Sequence, residues 1–256
     1  MTQESPTNSL EVETAKAGCK VFIEVFRNAS FDDQVLLAYS SAGADIQAIQ
    51  LGLKPAAYLG NEGNHIAQNT TFPNLETAPS LCVDSKGAEK PTIRQNAIFY
   101  SKTQVAKVIF DNPDYFPTGT TIEDAIHGLD VFSRENTDVV VRTGLLLGIP
   151  KQDAIDYATY GHYRSLYAGR VLPLDAPIEA KRYLENSVDN RDDGGIPGLK
   201  YISSNPEEYN KLRQKYFELY SASGLKGFID KLRLWGSPYN PEYCGLAVSN
   251  SLIQCG

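Results

Sequence analysis

Residues 96–110 read NAIFYSKTQVAKVIF, and the period of their apolar side chains separates an all-helical chain from a mixed one. Two short apolar runs, NAIFYS (96–101) and QVAKVIF (104–110), are rich in β-branched and aromatic residues and end in the turn-forming DNPDYFPTG (111–119). Both read as strands. Set among longer segments of helical period, they imply an α+β chain that is predominantly α-helical. The expectation is about eight helices and a small sheet of short strands around 96–110 and 199–203.

Outward from this segment the helical signals accumulate. TTIEDAIHGLDVFSR (120–134) carries Thr120 as a cap, Glu123 three residues on, and Ile122, Ala125, Ile126 and Leu129 at helical spacing. TDVVVRTGLLLG (137–148) is apolar enough to be buried, and Pro150 opens a further helix that Gly169 closes. Asp175 is placed to cap APIEAKRYLENSV (176–188), and LKYIS (199–203) reads as a strand. Asn205, Pro206 and Glu208 open PEEYNKLRQKYFELYSAS (206–223), stopped by Gly224, with LKGFIDKLRLW (225–235) as the last helix. Upstream, residues 1–9 are polar and are expected to be mobile, and 10–29 reads as a helix. A Ser30–Asp33 capping box opens a helix that Gly43 closes, and residues 44–60 form another interrupted near Pro55. Residues 61–91 are rich in Gly, Pro, Asn, Thr and Ser and read as a long irregular loop, a common home for lids.

At 256 residues, 42% hydrophobic and 21% charged, the chain can bury a substantial core. Its charge is uneven. Residues 1–150 hold 11 basic and 18 acidic side chains, whereas 151–256 hold 13 of each and eleven of the fifteen tyrosines. This suggests a lobe over 10–150 and a tyrosine-rich lobe over 151–256 with a seam near Pro150, or one continuous domain over 10–256. A net charge of −7 argues against general nucleic-acid binding, which needs a basic face. No apolar run is long enough to span a membrane, and with Met1 as the native start the expected location is cytoplasmic. Cys19, Cys82, Cys244 and Cys255 lack CxxC spacing and read as free thiols; Cys244 and Cys255 are the pair to bridge if a leader has been removed. In that case the sequons at Asn28 and Asn69 would matter too.

The richest candidate for chemistry is YGHYRSLYAGR (160–170). Tyr157, Tyr160, Arg164 and Tyr167 follow one another at steps of three, four and three residues, which aligns them along one side of a helix and leaves His162 elsewhere. A permanent guanidinium with stackable phenols suits a small anionic or aromatic ligand. The plain alternative is a half-wet tyrosine edge of the core, with Arg164 paired to Asp153 or Asp156. His162 and His127 are the candidate proton carriers. Glu123 and Asp130 flank His127 at helical spacing, although that side lies opposite the apolar stripe and also reads as a solvated face. The Asp-rich DNRDDGGIPG (189–198) fails as a calcium loop, because its third and twelfth positions are Arg191 and Lys200. No metal site is assigned, the three histidines being too widely separated, and no cofactor is indicated. Cys82 and His65 share the irregular segment, with nothing in sequence to lower the thiol's pKa. Two readings follow: a small-molecule enzyme or binding protein for an anionic or aromatic ligand, or a non-catalytic protein whose tyrosine-rich part docks on a partner protein.

Overall fold

The computed structural model describes residues 33–69, 71–84, 92–131, 136–167, 176–189 and 201–223. Among them are eight helices and five short strands, so the fold is α+β and mostly helical. The described residues form two compact units, one drawn from 33–53, 57–101 and 216–223, the other from 54–56 and 102–215.

In the first unit helix α1 (Asp33–Gln50) runs unbroken through Gly43, where the sequence suggested a stop. Gly43 is buried between Ala42 and Ala44, so a run of small residues packs there in place of a cap. The helix ends instead at Gly52, at φ +71°. Its N–H reaches Ile49 O at 3.0 Å, and the Leu53 N–H reaches Ala48 O at 2.9 Å. That is the Schellman arrangement, which needs a left-handed residue and therefore favours glycine. Strand β1 (Ala56–Leu59) follows where a helix was expected, because Pro55 cannot continue a helical ladder.

The described residues between 61 and 84 are not the irregular loop that composition suggested for 61–91. They contain helix α2 (Asn61–Asn69) and strand β2 (Glu76–Asp84). Polar composition hides α2, which buries Gly63 and Ile66; a side chain at Gly63 would collide with Leu59. Strand β2 pairs antiparallel with β3 (Thr92–Tyr100), Ala78 opposite Ile98 and Pro79 opposite Ala97. The sheet order β1-β3-β2 leaves β2 at an edge, where a proline's missing N–H is tolerated. Ala97, Ile98 and Phe99 on the central strand are buried, and Phe99 meets Phe72 edge-on at 6.1 Å.

In the second unit, QVAKVIF is part of helix α3 (Lys102–Asp111) and not a strand. Val105 is buried and Val108 and Ile109 half-buried, a spacing of three and four, while Lys107 and Asp111 pair across one turn at 2.8 Å. Phe110 points outward, 84% exposed, and it is this residue that made the run look uniformly apolar. Helix α4 (Ile122–His127) starts one residue later than expected. Thr121 is the cap in a reciprocal box with Asp124, while Thr120 Oγ1 donates to Pro117 O and closes the preceding turn. Helix α5 (Thr137–Leu146) is capped by Asn136 and stopped by a second Schellman turn, Gly148 N–H to Leu145 O and Ile149 N–H to Gly144 O.

Pro150 then starts helix α6 (Lys151–Tyr167), its carbonyl accepting the Ala154 N–H at 2.9 Å. Pro150 thus lies inside the second unit, between two helices that pack together. A Cβ on Gly144 would fall 2.9 Å from Ala154 Cβ, so α5 and α6 meet where one of them has no side chain. Helix α7 (Ile178–Asn186) packs on α6. Pro177 occupies its cap position without a side-chain bond, and Asp175, the expected cap, lies outside the described residues. A two-strand ladder pairs β4 (Val188–Asp189) with β5 (Ile202–Ser203), within the expected 199–203. Helix α8 (Pro206–Ser223) opens as the sequence indicates, Asn205 Oδ1 accepting the Glu208 N–H at 3.2 Å. Residues 10–29, Gly169 and the expected last helix lie outside the described residues, as do the four cysteines except the backbone of Cys82 on β2. No helix among the described residues is long and apolar enough to cross a membrane.

Candidate functional site

Helix α6 carries the polar chemistry of the second unit. Asp153, in its first turn, is only 1% exposed. A carboxylate so deep needs donors, and they come from the corner where β5 turns into α8. Ser203 Oγ lies 3.0 Å from Asp153 Oδ2, and the Ser204 N–H donates to Asp153 Oδ1 at 2.8 Å. Ser204 Oγ lies 2.8 Å from Asp153 Oδ1 and also contacts Asp156 Oδ2, one turn along α6. Asp156 accepts a second bond from Gln152 Nε2 at 2.8 Å. Ser203 Oγ takes the Asn205 N–H at 3.1 Å, which fixes the corner ahead of α8.

Tyr201 flanks this cluster. The residue is 5% exposed, its ring edge-on to Tyr209 at 5.5 Å, with the Asp153 carboxylate the nearby acceptor for its hydroxyl. Burial first, and the nearby Asp153 charge second, push the Tyr201 hydroxyl's pKa well above the ordinary phenol range. Burial also raises that of Tyr209, with Arg213 opposing it. Sequence reading missed this cluster because its two halves are 50 residues apart. The residual signal was two aspartates three apart near a helix start and a Ser-Ser-Asn-Pro helix start, each commonplace alone.

The expected tyrosine–arginine face lies on the same helix. Helix α6 is continuous to Tyr167, so Tyr157, Tyr160, Arg164 and Tyr167 fall along one side, continuing from Asp153 and Asp156. Tyr157 is half-buried and its ring lies over Gly161, where a Cβ would come within 2.9 Å of the ring. Tyr160 is half-buried against Tyr183 of α7, ring centres 6.0 Å apart. The side chains of Arg164 and Tyr167 lie outside the described residues. Asp153 and Asp156, read as local partners for Arg164, accept hydrogen bonds from Ser203, Ser204 and Gln152. Sequence reading also passed over Arg142, set within the apolar run of α5. It is half-buried, and its Nε is enclosed with no hydrogen-bond partner.

The histidines stand apart from this arrangement. His162 is exposed, its ring 4.0 Å from that of its neighbour Tyr163. His127 is the exposed last residue of α4, which Gly128 caps, so Asp130 is not on its helix. The Asp130 N–H and carbonyl are both bonded to Thr143 Oγ1, at 3.1 and 3.3 Å. On the same helix, Asp124 has its carboxyl held below the usual range by the Thr121 side chain and backbone, with His127 as a smaller contribution. His65 on α2 has no described side chain. Among the described residues no three His, Cys, Asp or Glu side chains converge as metal ligands. No known protein family, curated protein or solved structure matches the chain.

Proposed function

We propose that the chain binds a small anionic or aromatic molecule on the α6 face formed by Tyr157, Tyr160, Arg164 and Tyr167. The observation that carries this reading is the unbroken course of α6 from Lys151 to Tyr167, which aligns the four residues with Tyr160 half-buried beside Tyr183. Arg164 would take the anionic group and the phenols would stack on or donate to a planar body. A second guanidinium, Arg142, has its Nε enclosed without a partner on α5, the helix packed against α6. That lends weight to an anion in place of a neutral ligand. His162, exposed beside Tyr163, is given no catalytic task, and the reading is one of binding.

A panel of carboxylates, phosphates and nucleotides screened by thermal shift tests it. At a hundred times Kd, a true ligand stabilises the native protein by about 2.7 kcal/mol. That rise should fall to about 0.3–1.4 kcal/mol in Arg164→Ala at the same concentration, and an equal rise in both proteins removes Arg164 from the site. A second reading, docking of a partner protein, draws on Ile178, which stands 61% exposed at the start of α7, and on the exposed Phe110. Ile178→Asp separates the two: it breaks a partner contact and leaves small-molecule binding intact.

A further inference from the structure

We draw no further inference here: the strongest candidate, the side-chain amide of Gln50 at the buried end of α1, is 7% exposed with Nε2 and Oε1 both enclosed and without a hydrogen-bond partner among the described residues, but nothing in the structure shows what group would meet it.

Discussion

Removal of the Asp153 carboxylate should be among the most damaging single changes in the second unit. Three donors converge on it: Ser203 Oγ–H, Ser204 N–H and Ser204 Oγ–H. In Asp153→Ala the Ser203 hydroxyl can turn to Asn205 O at 3.0 Å, and the Ser204 hydroxyl to Asp156. The Ser204 N–H is left without its acceptor, which costs about 1–3 kcal/mol for a buried donor. Ser203 also exchanges a charge-assisted bond for a neutral one, a loss of about 1 kcal/mol. The relief of not burying a charge offsets part of this. The net expectation is about 2 kcal/mol, or about 4 to 8 °C in Tm for a chain of this size. Differential scanning fluorimetry of Asp153→Ala, with far-UV circular dichroism as a check on helix content, reads this directly. Ser203→Ala added to Asp153→Ala should cost less than it does alone, since the partner is already gone. A drop below about 2 °C for Asp153→Ala, on the same conversion, would refute the claim that this carboxylate anchors the corner.

Two further outcomes follow from the packing. Gly144→Ala should destabilise by about 1–3 kcal/mol, because its Cβ would stand 2.9 Å from Ala154 Cβ. Ala154→Gly in the same chain should recover most of the loss, and denaturant midpoints of the two single variants and the double variant measure it. Tyr201 gives a pH dependence. A hydroxyl whose pKa is raised on folding contributes stability that is complete below the unfolded pKa, about 10, and is lost as pH climbs towards the folded value. Between pH 9 and 11, about the range of phenol ionisation, Tyr201→Phe should therefore lose less Tm than the native chain.

The α+β class and most helices were legible because they rest on local signals. Asn205 with Glu208, and the apolar spacing of Ile122, Ala125 and Ile126, act within one or two turns. The errors occurred where tertiary packing overrides local pattern. Phe110 blurred the helical period of α3, the polar α2 is held by Ile66 and a close approach of Gly63 to Leu59, and β2 accommodates Pro79 at a sheet edge. The helix that carries Tyr157 and Tyr160 could be read because its start at Pro150 and its period are local signals. The Asp153–Ser203–Ser204 cluster could not, since no local pattern announces which hydroxyls will meet a buried carboxylate 50 residues away.

The most direct test of the tyrosine–arginine face is equilibrium titration of the best anionic ligand from the thermal-shift panel into native protein, Arg164→Ala and Tyr160→Ala. A charge-assisted contact of about 1.5–3 kcal/mol predicts that Kd rises roughly 10- to 150-fold in Arg164→Ala, with a smaller loss in Tyr160→Ala and helix content unchanged. Equal Kd values in native protein and Arg164→Ala would contradict the account.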